Sequence, residues 1–457
     1  LRGFLYGSQI AGGKAVAGSA LAAEMKDGRG WERVLSEQKW YRLDNAAKII
    51  PSSVGGADTR VFRLVCELNE EVDPSVLQQA LDQALTAFPY MNCCLRKGIF
   101  WYYMSELDHG AVVHEEYTRA LKSLYVPGRR NLLYRVVYRK NRIILEMFHV
   151  LADGTGGFMF FRAIITEYLV LKHHLDRGLV AGEETAASIE ELRDDAFSRY
   201  YEKNKSRKRN FLKEMFPKTA YRLKGTFDEN MDAHLIEGTA STKQILGICH
   251  ERKVTLGVLI TSVWIESIVK QMKRSEYGHP VVVSVPVNLR QFFPTETSRN
   301  FFGVINVSFD PGKYDGTLES ILPVVKEEFN NMLKPENVQA TMNSYSDLEH
   351  NAGIRPIPLV FKDIGLRTAM SMMNHGVTTS VSNVGKVDIP EQLHPYIHKF
   401  CSFMACKTVF MCISTFEDCM VFGIVSAFEE HTTEMFFFRR LVELGADIEI
   451  ASNDNFA

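Results

Sequence analysis

His149 and Asp153, four residues apart, are the side chains in this sequence best placed to do chemistry together. Histidine titrates near neutral pH and can both accept and return a proton. An aspartate so close in sequence can orient a neighbour or act as a second acid. Gly154, Thr155, Gly156 and Gly157 follow at once. Glycines allow a tight turn and a close backbone approach to a ligand. No serine or cysteine with a partner base is evident nearby, so the stretch offers a proton carrier without an obvious covalent nucleophile. Taken alone, His149 reads first as a structural histidine, and the glycines are equally readable as a plain turn.

Two elements must hold this stretch. Residues 143–148 form an apolar run that reads as a strand, paired as a hairpin with 132–138 across Lys140 and Asn141. A helix is expected over 158–172. Upstream, 58–68 reads as a strand, and Asp73-Pro74 opens a helix whose stripe is Leu77, Ala80, Leu81, Ala84, Leu85 and Phe88. Downstream, 280–287 is apolar enough for a strand buried on both faces. Further strands are expected over 301–309, 378–384, 398–404, 408–414 and 420–427. Helices are expected over 255–272, 321–332, 359–373 and 434–443. Helices and strands alternate in both halves, which gives an α/β or α+β class.

A chain of 457 residues exceeds what one core usually holds. The sequence divides into a tail, 1–30, a first domain, 31–205, a basic linker, 206–232, and a second domain, 233–457. The tail is rich in Gly, Ala and Ser and reads as disordered. Ala15-Val16-Ala17 has the form of a signal cleavage site, but Gly12-Gly13-Lys14 interrupts the apolar core a signal needs. The basic run 203–224 has two readings, a solvated linker or a clamp for the phosphates of a nucleotide-bearing cofactor. A formal net charge of -2 gives no case for nucleic acid. The eight cysteines form no CxxC pair, and no Cys/His set has metal-site spacing. That usage fits a reduced, cytoplasmic setting. No apolar run approaches the ~18 residues of a membrane span. Nothing in the sequence calls for more than a monomer.

His149 to Gly154 has the HxxxDG form of the chloramphenicol-acetyltransferase-like superfamily. Pro286-Val287-Asn288-Leu289-Arg290, followed by Arg299 to Asn306, resembles that superfamily's strand, arginine and GxxN arrangement. Ser382-Asn383-Val384-Gly385 resembles its SN-G strand end. The order of the three segments is similar to that of bacterial alcohol acetyltransferases. Phe148 stands where condensation domains carry a first histidine, and no DFGWG segment of the plant enzymes is present.

The resemblance implies two acetyltransferase-like domains meeting at a substrate channel, acyl-CoA (acetyl-CoA in the simplest case) as co-substrate, a small-molecule alcohol as acceptor, and no metal. It implies His149 as general base, Asp153 as a brace paired with Arg290, and Gly154 as the position where a side chain would obstruct the channel. Ser382 and Asn383 are candidate oxyanion or substrate donors. Gly157, Gly303 and Asn306 are expected along the channel. Two other readings stay open: an amide-forming or carrier-protein-dependent condensation-type enzyme, and a degenerate member that only binds.

Overall fold

The computed structural model describes residues 40–180, 187–202, 218–230, 232–350, 353 and 355–453. The expected tail 1–30 and residues 203–217 of the basic run lie outside the described residues.

In chain order, the strands and the helices of ten or more residues are β1 (Trp40–Arg42), β2 (Val61–Leu68), α1 (Pro74–Ala87), β3 (Cys93–Lys97), β4 (Tyr102–Glu106), β5 (His114–Glu115), β6 (Tyr134–Arg139), β7 (Arg142–Phe148), α2 (Gly154–His173), β8 (His234–Ser241), α3 (Thr242–Glu251), α4 (Leu256–Val269), β9 (Val281–Asn288), β10 (Phe302–Phe309), α5 (Leu322–Met332), α6 (Pro335–His350), α7 (Leu359–Asn374), β11 (Thr379–Lys386), β12 (Ile397–Met404), β13 (Val409–Phe416), β14 (Cys419–Ser426), α8 (Thr432–Glu443) and β15 (Ile448–Ser452).

Three sheets result. A small antiparallel sheet has the order β1-β4-β3. A five-stranded sheet runs β12-β2-β7-β6-β5, antiparallel except where β5 meets β6. A seven-stranded sheet runs β10-β9-β11-β13-β14-β8-β15, with β11 parallel to both β9 and β13. This is the mixed α/β arrangement that the alternating pattern calls for.

The hairpin expected at Lys140 forms as β6 and β7, and Lys140 takes the left-handed conformation at its turn. α1 is capped by Asp73, whose Oδ1 accepts from Ser75 N at 2.9 Å. α2 starts at Gly154, four residues before the expected start, because Asp153 caps it. The Asp153 Oδ1 accepts from Gly156 N at 2.9 Å. The buried face of α2, including Phe160, Phe161, Ile164 and Ile165, joins α1 and the five-stranded sheet in one core. α4 is buried nearly all round in the core of the second half, which is why apolar residues appear on every face of it and not as one stripe. α6 was not anticipated; its sequence is polar and gives no clear stripe.

β12 departs from the division drawn at 206–232. By sequence it falls in the second half, yet it pairs along its length with β2 and completes the first half's sheet. The chain leaves the seven-stranded sheet after β11, crosses to the five-stranded sheet as β12, and returns as β13. A third apolar cluster, with Val61, Val65, Ile144, Phe403, Val421 and Val425, fills the space between the two sheets. Gly423 of β14 sits at the tightest part of that contact: a Cβ built there would lie 2.1 Å from the Ser402 carbonyl oxygen of β12.

Gly423→Ala should therefore lower stability. Urea unfolding should show a loss of about 1–3 kcal/mol, the usual cost of overpacking a core where backbone must move. A stability equal to wild type would mean that the two sheets do not pack this closely.

Candidate active site

His149 follows directly on β7, and its backbone N–H donates to the Arg60 carbonyl at 2.9 Å. Arg60 itself has a left-handed backbone, φ 55°, which turns the chain into β2 at this point. The imidazole is partly buried between two rings, Phe62 (centroids 5.6 Å) and Phe302 (5.4 Å). Phe62 comes from β2 and Phe302 from β10, so the two halves of the chain meet on the histidine.

The ring is oriented by Asn300, a role the sequence reading did not assign. His149 Nδ1 lies 2.9 Å from Asn300 Oδ1. The amide's orientation follows from its other contacts. Asn300 Nδ2 donates to Asp44 Oδ2 at 3.1 Å and faces the Val150 carbonyl at 3.5 Å, both acceptors. Its oxygen therefore faces the imidazole, and Nδ1 must carry the proton. Nε2 is left with its lone pair and has no protein partner among the described residues. Burial pushes the His149 pKa below the ordinary histidine value; its own backbone carbonyl, Asp153 and Asn300 pull the other way, and Arg60 adds to the depression. The ring is neutral at neutral pH.

Asp44 completes this row. It is fully buried, accepts from Ala47 N at 2.7 Å, and has Arg299 Nε at 3.7 Å. Burial raises its pKa to about 6, with Arg299 opposing. At neutral pH it remains mostly the carboxylate that the Asn300 amide needs.

Asp153 does not touch His149. Its Oδ2 accepts from Arg290 Nη1 at 2.8 Å and from Phe301 N at 2.8 Å; its Oδ1 accepts from Arg290 Nη2 at 3.2 Å and from Gly156 N at 2.9 Å. Arg290 is held just as fully. It donates to the carbonyls of Thr297 (2.9 Å from Nη2) and Arg299 (2.6 Å) and to Asn288 Oδ1 (3.3 Å). The pair thus ties the cap of α2 to residues 297–301, which carry Asn300.

The glycines divide by what surrounds them. A Cβ at Gly154 would meet nothing within 4 Å, so this position opens on free space. At Gly156 it would lie 1.7 Å from the Ser298 carbonyl oxygen, so the Arg290-held loop presses on α2 there. At Gly157 it would lie 2.6 Å from the Phe62 ring. Gly157 therefore packs helix on sheet and does not line a channel. Gly303 also faces inward, with Thr341 at 3.1 Å and Leu289 at 3.4 Å from a built Cβ. Asn306 does lie on an open face. Phe302, Val304 and Asn306 of β10 pair with Asn288, Pro286 and Ser284 of β9, and Ser284 pairs with Ser380 of β11. All are partly or fully exposed, so an open strip of mixed apolar and polar residues leads away from Phe302 and the histidine. Asn288 borders its near end and donates to Thr155 Oγ at 3.2 Å. Ser382 is two residues beyond Ser380 on the same face of β11. Asn383 points the other way, and its Oδ1 accepts from Gly385 N at 3.0 Å in a local turn.

Phe148 is buried and stacks on Tyr125, with ring centroids 5.6 Å apart. Its position therefore belongs to the core. A cavity of about 1010 Å3 lies elsewhere, bordered by Phe88, Met159, Arg162, Glu167 and Ile389, and His149 is not on its wall. Among the described residues, no group of three or more His, Cys, Asp or Glu side chains could hold a metal ion, and no helix is long and apolar enough to cross a membrane.

The mixed α/β arrangement, with His149 set between elements of two sheets, is a fold that this chain shares with solved structures. No protein-family model matches the sequence, and no curated protein matches it. Solved structures do. TRI101 of Fusarium graminearum, in complex with coenzyme A and deoxynivalenol, is 13% identical with a TM-score of 0.61, over 90% of this chain and 99% of that one. The TRI3 trichothecene 15-O-acetyltransferase of Fusarium sporotrichioides is 10% identical with a TM-score of 0.58, over 89% and 94%. The epimerization domain of tyrocidine synthetase B, TycB3(E), is 11% identical with a TM-score of 0.58, over 89% and 96%. At these identities the likeness concerns the fold.

Two outcomes test the geometry. Asp153→Asn leaves a buried guanidinium without its counter-charge, and unfolding should show a loss of about 3–5 kcal/mol. A variant as stable as wild type would exclude the brace. Nitrogen-15 shifts of the His149 ring should report a proton on Nδ1 and none on Nε2, and Asn300→Ala should give a tautomer mixture. An unchanged ring in that variant would remove Asn300 from the orienting role.

Proposed function

We propose that this chain moves an acyl group, acetyl in the simplest case, from acyl-CoA to the hydroxyl of a small alcohol by direct transfer, with His149 as general base. The observation that carries the reading is the free lone pair on Nε2 of a neutral, oriented His149. TRI101, which shares the fold, is known in complex with coenzyme A and with T-2 mycotoxin or deoxynivalenol, and this supports a CoA thioester as donor and a hydroxyl as acceptor.

The acceptor hydroxyl gives its proton to Nε2 as its oxygen attacks the thioester carbonyl carbon. The developing oxyanion needs a donor, and Ser382 is the side chain we assign to it. The carbon–sulfur bond then breaks, and Nε2 returns the proton to the departing thiolate. His149 ends neutral, as it began. Asp153 and Arg290 take no proton; they hold the loop and the helix that frame the ring.

A second reading keeps the same base mechanism with a thioester carried on a protein as donor. A binding-only role is the reading that His149 chemistry opposes.

A panel of acyl-CoA thioesters and alcohols, with thiol release and product mass as readouts, tests the proposal. His149→Ala should lower kcat/KM by about 10²–10⁴-fold, the usual contribution of such a base. Undiminished transfer in that variant would end the reading. Turnover only with a carrier protein would move the donor to the second class. The pH profile has a definite sign. Protonated His149 cannot accept a proton, and burial lowers its pKa, so the acid limb of kcat/KM should have its midpoint below the ordinary ~6.5. Asp44, at about 6, protonates in the same range, which should make the limb steeper than one proton. A midpoint above that value would contradict a buried, neutral base.

A further inference from the structure

α7 is amphipathic in the inverted sense. Lys362 and Asp363 are 5% and 8% exposed, while Val360, Phe361 and Ile364 beside them are 57%, 66% and 61% exposed. The buried charges are fully partnered. The Lys362 Nζ sits 3.8 Å from the Trp101 ring centroid and donates to the carbonyls of Phe100 (3.2 Å) and Arg355 (3.1 Å). Asp363 accepts from Ser52 Oγ at 2.8 Å, Tyr102 OH at 2.9 Å and Lys97 Nζ at 3.2 Å. These contacts fix the rotation of the helix, so it cannot roll to hide its apolar side.

A second tip joins this face. Ile99, at the turn between β3 and β4, is 76% exposed, and its carbonyl accepts from Leu359 N at 2.8 Å. Phe100 next to it is exposed too. The hairpin turn and the start of α7 therefore form one apolar platform. Its surroundings are basic: Arg355 and Arg367 are exposed, Arg96 is half-buried, and the side chain of Lys97 is half-exposed. Asp363, the acid within α7 beside these apolar residues, is buried and paired.

We propose that this platform docks on the surface of an anionic lipid bilayer. Single exposed apolar residues are ordinary, but several gathered on adjoining tips and backed by buried charges mark an interaction surface. Aliphatic and aromatic tips enter the boundary between headgroups and acyl chains, and arginines around them attract anionic headgroups. The platform is also linked to the catalytic side. Lys48 Nζ lies 5.8 Å from the same Trp101 ring and donates to Asn45, the neighbour of the Asp44 that holds Asn300. A role in bringing an apolar alcohol to His149 rests on the acyltransferase reading; docking itself does not.

The test is co-sedimentation of the full chain with vesicles of phosphatidylcholine alone and of phosphatidylcholine mixed with phosphatidylglycerol. The chain should sediment with the mixed vesicles at low salt. Binding should weaken by about tenfold or more at high salt, where headgroup attraction is screened, and in the double variant Phe361→Ser, Ile364→Ser. Both positions are exposed, so thermal unfolding of the variant should match wild type. No sedimentation with either vesicle overturns the proposal, as does equal binding to both vesicle types or undiminished binding by the double variant. A dimer that dissociates in the double variant also overturns it, by assigning the platform to a second copy. His149→Ala should bind vesicles like wild type, so loss of transfer and loss of docking are separate results.

Discussion

The bidentate pair between Asp153 and Arg290 is the interaction on which the site depends. A buried ion pair often returns little more than its desolvation cost, unless every remaining hydrogen-bonding group is satisfied. Here nearly all are. The carboxylate accepts four N–H groups: two from the guanidinium, one from the α2 cap and one from Phe301. The guanidinium also donates to the backbone carbonyls of Thr297, Arg299 and Phe301 and to Asn288 Oδ1. One pair thereby fixes a helix start, a loop and the gap between them. The carbonyl of Ser298 comes so near α2 that only a glycine fits at position 156.

The orienting system is separate from the brace, though it relies on it. Asn300 sits in the loop that Arg290 holds, and it passes the influence of Asp44 to the imidazole without placing a carboxylate against the ring. A carboxylate in direct contact would stabilise the imidazolium and raise its pKa. A neutral amide fixes the tautomer and leaves burial in control, and the depressed pKa of His149 follows from that choice.

How much of this could be read in advance depends on how far apart the partners lie. His149 and Asp153 are local, and the strand and helix around them form; the cap at Asp153 was not read, and Gly154 to Gly157, expected as a turn, are the first turn of α2. The pairing of Asp153 with Arg290 was legible only through the resemblance, because residues 137 apart show no periodicity together. Asn300 stood in a segment with a recognisable pattern, yet its role depends on Asp44, 256 residues away. Gly157 and Gly303 looked like channel positions because glycine permits close approach; what approaches in both cases is the protein's own side chains. The helix of α7 was expected over 359–373, but not what anchors it: Asp363 takes its partners from β3, β4 and residue 52, and Lys362 takes the carbonyls of Phe100 and Arg355. The strand of β12 was expected over 398–404 and forms, but its sheet could not be foreseen, since a strand's sequence does not say which sheet it joins.

The crossing of β12 has a consequence for how this chain is made. β2 is an apolar strand whose outer edge is covered only by β12. During synthesis from the N-terminus, β2, β6 and β7 emerge and can pair long before residue 397 exists. Until then β2 presents a free row of N–H and C=O groups, the arrangement most prone to pairing with another chain. The five-stranded sheet is therefore finished late, by a strand delivered from the other half. The second half builds its seven-stranded sheet from its own strands, whereas the first half borrows its edge strand, so the interval of synthesis between β7 and β12 is the one in which the β2 edge stands uncovered.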